Sequence, residues 1–590
     1  MQKQWTLLEP APASFYQQFP ELPKVVADLL YQRNLQTQEK IDEFLSPDYW
    51  DHVYNSFLFQ HMQKAVDRIF QAIKNKEKIT IHGDYDADGV SASTILFTTL
   101  KALGATELSV FLPHRETDGY GLNSRTVQLL HEENTKVIIT CDCGISNTQE
   151  VNQAEELGMN VIITDHHAIP QMLPQAYAII HPKISGETYP DHGLAGGGVA
   201  FKLAQALLLV HKQEKEKLVN GETHESFEKW LLDMVAIASV ADMVPLVGES
   251  RTLTKYGLIV LNKTKRIGLK KLLLEAKILQ QDGSLKKEIT ADTIGFQIAP
   301  RINAAGRLDH ANVALKLLVS ENGAEAVDLA FELEKNNTER KTKTDTFVKQ
   351  AIEQVEDQKN NPVLFVIGKE WTTGIVGLIA SRLKEKYHKP TIAMAYNGDM
   401  VTGSGRSVQG FNMIESLQEM PEHFLKFGGH PMACGFSLEN ETKISSFQNA
   451  LFEKYKEKTT GVDMSAKLLI DAHLELKDIH WDLFDVLEKF KPFGQQNERP
   501  KYLLQGLSVV DFGTLGADQK HLKILVRQKG GAIKKTIGWK MCDPENTNGV
   551  DWLNELKIGE KIDMVVGVDV NEWNGNKELQ LTIIDLKKSV

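Results

Sequence analysis

The sequence predicts an α/β protein of two lobes joined by a long helix, with a run of short strands at its C-terminal end. Three observations carry this. Between about residues 62 and 181, apolar runs of strand length alternate with helical periodicity, the pattern of a parallel sheet covered by helices on both faces. Residues 324–356 keep helical periodicity with many charges and neither Gly nor Pro. After Gly461 the alternation gives way to short strands alone.

The first fifty residues show helical patterning over Thr37–Leu45, stopped by Ser46-Pro47, and are expected to form a leader packed on the lobe that follows. The first lobe is expected to run helix 62–74, strand 78–82, helix 91–103, strand 108–112, helix 124–133 and strand 136–141. It continues with helix 147–157, strand 160–164 and a short run at 177–181. Leu231–Val240 is helical and leads into Ala241-Asp242-Met243-Val244-Pro245. A second α/β unit begins at Pro362-Val363-Leu364-Phe365-Val366-Ile367 and ends near Tyr455. Strands at 467–475, 501–511, 521–527, 532–539, 561–568 and 578–586 then suggest a small barrel of oligonucleotide-binding type. The expected boundaries are 1–50 for the leader, 51–323 for the first lobe, 324–357 for the connecting helix, 358–460 for the second lobe and 461–590 for the barrel.

Composition narrows the function classes. At 590 residues the chain exceeds what one core supports. A hydrophobic content of 42% with 25% charge is that of ordinary globular proteins. There is no apolar run long enough for a membrane span and no charged-then-apolar export signal, so a cytoplasmic protein without membrane association is expected. The four cysteines, Cys141, Cys143, Cys434 and Cys542, lack disulfide or zinc spacing and read as reduced, packed thiols. A net charge of −11 excludes a wholly basic coat but leaves room for a local positive groove.

The chemistry concentrates at strand ends. His82-Gly83-Asp84-Tyr85-Asp86-Ala87-Asp88 places one imidazole and three carboxylates in seven residues after an apolar run. Carboxylates so close raise one another's pKa unless divalent cations balance them. Asp142 follows the strand ending at Cys141, and Asp165-His166-His167 follows the strand ending at Thr164. In a parallel sheet, ligands collect beyond the carboxyl ends of the strands, so the three clusters should converge on one edge. Mixed Asp and His ligands suit manganese, iron, zinc or magnesium, with manganese the first choice, and the carboxylates suffice for two ions. Arg301 and Arg307 flank Asn303 and the small Ala304-Ala305-Gly306, which lets a backbone come close. Planar guanidiniums suit phosphate. Gly193–Gly198 lacks the lysine of a nucleotide loop and reads as a tight turn in preference to a phosphate cradle.

These motifs resemble a known family. His82-x-Asp84-x-Asp86-x-Asp88-Gly89, Cys141-Asp142-Cys143-Gly144 and Asp165-His166-His167 resemble the signatures of the DHH phosphoesterases. Leu194–Lys202, Ala241–Pro245, Pro300–Leu308, Gly403–Ser407 and Gly428-Gly429-His430 are similar to the RecJ branch. The resemblance spans nearly the whole chain. It implies lobes of DHH and DHHA1 type with a C-terminal OB-fold β-barrel, and a metal-dependent 5′→3′ exonuclease that degrades single-stranded DNA to 5′-mononucleotides in repair and recombination. A phosphoesterase for smaller substrates, or a scaffold without metals, are the competing readings.

The resemblance also implies roles. His82 and Asp86 would hold one Mn2+, or Mg2+ in its place, Asp88, His166 and Asp242 a second, with Asp142 bridging. Asp84 would orient His82, and His167 would contact the scissile phosphate or steady the leaving oxygen. His430 would line the cleft. Arg301 would meet a phosphate near the metals, and Arg115, Ser404 and Arg406 a terminal 5′-phosphate. The barrel would grip single strands, with Lys520, Lys523, Arg527, Lys534, Lys535 and Trp539 as candidates. A single-strand-binding protein and a RecQ-type helicase are the implied partners, and a monomer is expected.

Overall fold

The computed structural model describes residues 3–115, 117–308, 310–543, 550–573 and 575–589. The chain divides into two units, one of residues 49–464 and one that joins residues 1–48 to residues 465–590.

In the larger unit, five parallel strands form the first sheet. Their order is Leu108–Phe111, Lys78–Gly83, Thr135–Cys141, Asn160–Thr164 and Ala178–Ile180. Numbered along the chain this is 2-1-3-4-5, so the order reverses between the first and third strands. That reversal opens a crevice at their carboxyl ends. The two strands bordering it lead into His82–Asp88 and into Asp142. The strand interiors are apolar on both faces, as with Ile79, Ile81, Val137, Ile138 and Ile139, because helices cover both sides.

The helix after the first strand begins earlier than expected, at Ala87 and not Ser91, and ends at Ala102. Asp86 caps it: its carboxylate accepts the amides of Asp88 at 2.9 Å and Gly89 at 3.0 Å. The acidic cluster is therefore itself the helix start, where unpaired amides and the positive end of the dipole favour carboxylates.

A single helix, Gly323–Val355, runs on to the second lobe. There Leu364–Gly368 pairs in parallel with Thr391–Asn397, and Met400–Arg406, Ala433–Leu438 and Lys426–His430 follow in antiparallel order. Ser404 and Arg406 lie on the central strand, and His430 ends the edge strand.

The leader departs from expectation. Residues 1–48 share a core with the C-terminal strands and not with the lobe that follows them. Phe15, Phe19, Leu29, Leu30 and Phe44 bury with Phe490, Tyr502 and Leu504, and Phe44 meets Phe490 edge-on at 5.2 Å. The strand Gln4–Leu7 pairs in parallel with Lys467–Ile470, which takes the first part of that run out of the C-terminal sheet, while Ala472–His473 pairs with Tyr502 and Leu503 inside it. A parallel partner far along the chain leaves no mark in local periodicity. Tyr502–Leu515, His521–Arg527, Lys534–Gly538, Asn576–Lys588 and Lys561–Trp573 pair in that order. The last also pairs with Tyr502–Leu515, closing a ring of strands. Of the basic residues on this ring, Lys520 pairs with Asp543 and Lys535 with Glu578, while Trp539 is half exposed against His521.

Leu30→Ala should destabilise the smaller unit by about 2–5 kcal/mol, the cost of a large-to-small change in a packed core. Faster amide exchange in Tyr502–Leu515, with unchanged exchange in Lys78–Gly83, is the expected result.

Candidate metal centre and anion pocket

The strand ends bring the acidic and imidazole groups together. Three sets of possible ligands have atoms within 4.8 Å of one another: Asp84, Asp86 and Asp142; Asp88, His166 and Asp242; and Asp142, His166 and His167. His166 Nε2 is at the centre, 3.1 Å from Asp142, 3.4 Å from Asp242 and 3.8 Å from Asp88.

Burial holds the His166 imidazole neutral, its pKa pushed down to about 3 with the His167 charge adding to the effect. A neutral ring nitrogen facing three carboxylates does not stabilise them. The carboxyls respond accordingly. Burial and then neighbouring negative charge raise Asp84, Asp88 and Asp142 well above the usual range, and Asp242 to about 7.

Four buried ligand atoms, His82 Nε2, Asp84 Oδ1, Asp142 Oδ1 and His166 Nε2, have no hydrogen-bond partner among the described residues. Orphaned buried polar atoms cost free energy one by one. An unpaired cluster of carboxylate oxygens and imidazole nitrogens is satisfied by divalent cations, and its mixed oxygen and nitrogen donors fit manganese or magnesium.

Local structure explains each position. Asp142 leaves its strand with φ +61°, a conformation a non-glycine residue adopts at a cost, and one that turns the backbone sharply. Asp88 is held by the glycine loop: the amides of Gly196 and Gly197 donate to its two oxygens at 2.8 and 2.6 Å. A Cβ on Gly196 would fall 2.5 Å from that of Asp142. The loop does cradle an anion, therefore, but the anion is a carboxylate of the protein. Asp165, which the sequence shows only as part of a triplet, is buried and accepts the amides of Ile145, His166 and His167. It also bonds His167 Nδ1 at 2.8 Å. Burial works against the charges of this pair, yet the bond to Asp165 raises His167 to about 9 and the bond to His167 lowers Asp165 to about 2. His167 is thus a cation at neutral pH. The Tyr120 hydroxyl donates to the Asp142 carbonyl at 3.0 Å and sits 3.1 Å from His167 Nδ1. No signal in the sequence marks Tyr120.

His82 is fully buried, stacked on Phe111 with ring centroids 5.4 Å apart, and kept neutral by burial, its pKa lowered to about 4. No hydrogen bond joins Asp84 to His82 among the described residues, and a carboxylate oxygen of Asp84 lies within 4.8 Å of those of Asp86 and Asp142.

Beside the metal centre, Arg115, Arg307, Ser404 and Arg406 line a cavity of about 610 Å3 between the lobes. None of the three guanidiniums pairs with a carboxylate among the described residues. Burial, followed by the charges of Arg115, Arg340 and Arg406, lowers Arg307 to about 9. Guanidiniums crowded in this way, without a carboxylate partner, suit an anion. Arg406 is oriented by Ser381 Oγ at 3.1 Å and Ser404 Oγ at 2.7 Å. Arg115 lies 5.0 Å over the Tyr85 ring, and Arg307 donates to the Gly374 carbonyl at 2.9 Å.

Two expected phosphate contacts are otherwise employed. Arg301 is buried, its Nε bonded to Glu334 and an Nη to the Gln297 carbonyl. Asn303 Oδ1 accepts the Ala87 amide at 2.7 Å, clamping the acidic turn. The close approach allowed by Gly306 is to the Tyr85 carbonyl, which a Cβ would meet at 2.6 Å. His430 is exposed at the end of the edge strand of the second lobe.

Comparison with known proteins accords with this geometry. Family models match at residues 78–239 (DHH family, N-terminal domain), 360–457 (DHHA1 domain) and 470–585 (RecJ OB domain). The single-stranded-DNA-specific exonuclease RecJ of Bacillus subtilis is 36% identical over 564 residues, 95% of this chain and 67% of its own length. That of Escherichia coli is 34% identical over 546 residues, covering 88% of this chain and 89% of its own. The crystal structure of RecJ in complex with Mn2+ from Thermus thermophilus superposes with a TM-score of 0.81 at 26% identity, over 100% of this chain and 80% of that one.

Asp242→Asn mimics the protonated carboxyl. It should raise the melting temperature of metal-free protein above pH 7, because the wild-type group, its folded pKa raised to about 7, loses its stabilising contribution as pH rises from about 4 to about 7. The variant should also lose most of the stabilisation that added Mn2+ confers. Thermal melts with and without Mn2+ at pH 6 and pH 8 read both effects.

Proposed function

The chain belongs to the RecJ family of single-stranded-DNA-specific exonucleases, and from that premise we propose that it hydrolyses single-stranded DNA 5′→3′ at the cluster His82, Asp84, Asp86, Asp88, Asp142, His166 and Asp242. The observation that carries this assignment is the convergence of four buried, partnerless ligand atoms beside a cationic cavity of about 610 Å3. Asp88, His166 and Asp242 would hold one ion. Asp84 and Asp86, with His82, would hold the other, and Asp142, grouped with Asp84 and Asp86 and 3.1 Å from His166, would bridge them.

Bound divalent cations supply Lewis-acid neutralisation of phosphate charge and lower the pKa of a water for in-line attack. The protein's own groups do the rest. His167, kept cationic by Asp165, offers a charge-assisted hydrogen bond to a non-bridging phosphate oxygen, with Tyr120 steadying the ring. Arg115, Arg307, Arg406 and Ser404 take the terminal 5′-phosphate, so a strand enters by its phosphorylated end and polarity follows from the pocket's position. Arg301, held by Glu334, reaches a phosphate only after exchanging that partner. His430, exposed at the end of the edge strand, would line the cleft. The ring of strands offers a further grip on unpaired DNA, through exposed basic and aromatic side chains.

A place in DNA repair and recombination, with a RecQ-type helicase to unwind duplex and a single-strand-binding protein on the product, suits an enzyme that takes only unpaired ends. We further propose a monomer acting in the cytoplasm. Among the described residues no helix is long and apolar enough to cross a membrane.

With Mn2+, 5′-labelled single-stranded DNA should be degraded to mononucleotides, while duplex DNA, a cyclic dinucleotide and polyphosphate remain intact. Chelator should abolish the activity, and Asp142→Ala should lower it by at least about 100-fold, a typical cost of losing a key charged group. Release of label from the 3′ end first would contradict the polarity. Arg406→Ala should reduce discrimination between 5′-phosphate and 5′-hydroxyl ends about tenfold, roughly the 1.5–3 kcal/mol of one charged hydrogen bond. Competition between the two substrates in one reaction measures it.

A further inference from the structure

The glycine loop that holds Asp88 is itself fastened, and by a residue to which nothing yet assigns a role. Asp191 Oδ1 accepts the Gly193 amide at 2.6 Å, inside the loop. Its Oδ2 accepts the Ser250 amide at 2.7 Å and the Ser250 hydroxyl at 3.0 Å. Ser250 lies in the first turn of the helix Gly248–Leu261, a few residues after Asp242. A second tie runs alongside the first: the Tyr189 hydroxyl donates to Glu249, which also receives Lys202 Nζ at 2.9 Å. Tyr189 is pinned in turn by Phe59, stacked at 3.9 Å.

Asp88 and Asp242 reach the second metal set from opposite directions. One is set by amides of the loop 193–197, the other by the segment between the helix Leu232–Ala241 and the helix Gly248–Leu261. Asp191 bonds the loop at Gly193 and the start of the helix that ends the Asp242 segment at Ser250. We propose that Asp191 is a positioning residue for the second ion: it fixes the loop against the Asp242 segment, and so sets the separation of the Asp88 and Asp242 carboxylates. The proposal rests on the two-ion reading above. It also predicts asymmetry, since Asp86 is held by the helix cap, and the turn that carries it by Asn303, neither of which belongs to the loop.

Groups that orient ligands from behind typically cost roughly 10–100-fold in metal affinity when removed. The full-length protein is titrated with Mn2+, following free ion by electron paramagnetic resonance, for wild type, Asp191→Asn and Asp191→Ala. Wild type should bind two ions. Asp191→Ala should keep one at wild-type affinity and bind the other at least about tenfold more weakly. Asp191→Asn, which retains one acceptor oxygen, should fall between. Single-strand hydrolysis by Asp191→Ala should need correspondingly more Mn2+ for half-maximal rate, yet approach the wild-type maximum at saturation. Two outcomes overturn the proposal: unchanged binding of both ions, or equal weakening of both with a lowered melting temperature, which would mark Asp191 as a fold residue only. Failure of the wild-type protein to bind two ions would instead overturn the two-ion reading.

Discussion

Mutual repulsion among carboxylates buried at the end of a parallel sheet is the constraint around which this protein is organised. Asp84, Asp88 and Asp142 are almost inaccessible to water, and Asp88, Asp142 and Asp242 crowd one neutral imidazole. Burial without counter-charge costs several kcal/mol per ion. The fold commits backbone donors to contain the problem, using the cap of one helix for Asp86 and two glycine amides for Asp88, while leaving specific oxygens and nitrogens unsatisfied. Those remaining atoms are the ones that divalent cations satisfy.

Next to this negative centre stands a positive one. Arg115, Arg307 and Arg406 come from three separated parts of the chain and meet around one cavity, without carboxylates to quench them among the described residues. On the proposed reading the pair of fields would act directionally, with the arginines drawing an anionic chain end and the acidic centre meeting a following phosphodiester. His167 belongs to the boundary between the two, cationic because Asp165 makes it so. The assignment of exonuclease chemistry thus rests on two complementary sites, where the acidic cluster alone specifies only phosphoester cleavage.

Much of the catalytic lobe was legible in the chain. Strands 78–82 and 160–164 and the helix at 62–74 emerge from periodicity alone, since a strand buried on both faces must be a short apolar run. The acidic and imidazole residues were legible because polar groups directly after such runs fall at one sheet edge. What the chain did not show were partners far away in sequence. Arg301 and Asn303 suit phosphate by their guanidinium and amide, but in the fold Glu334 takes the Arg301 Nε and the Ala87 amide takes the Asn303 oxygen. The glycine loop was read as close packing. It is close, against Asp142, but its amides also serve Asp88.

By itself the sequence determined the residue types of the site, their order along the chain and the α/β periodicity that carries them to strand ends, because these depend on local pattern and intrinsic chemistry. Only the tertiary structure decided that Asp84, Asp86 and Asp142 come within reach of one another, that Asp165 bonds His167, and that the leader packs with the C-terminal strands. Each of those depends on pairings that local pattern does not encode. Such pairings are set by competition among all available partners for the same few donors and apolar faces, and the sequence near any one residue carries no record of which partner wins.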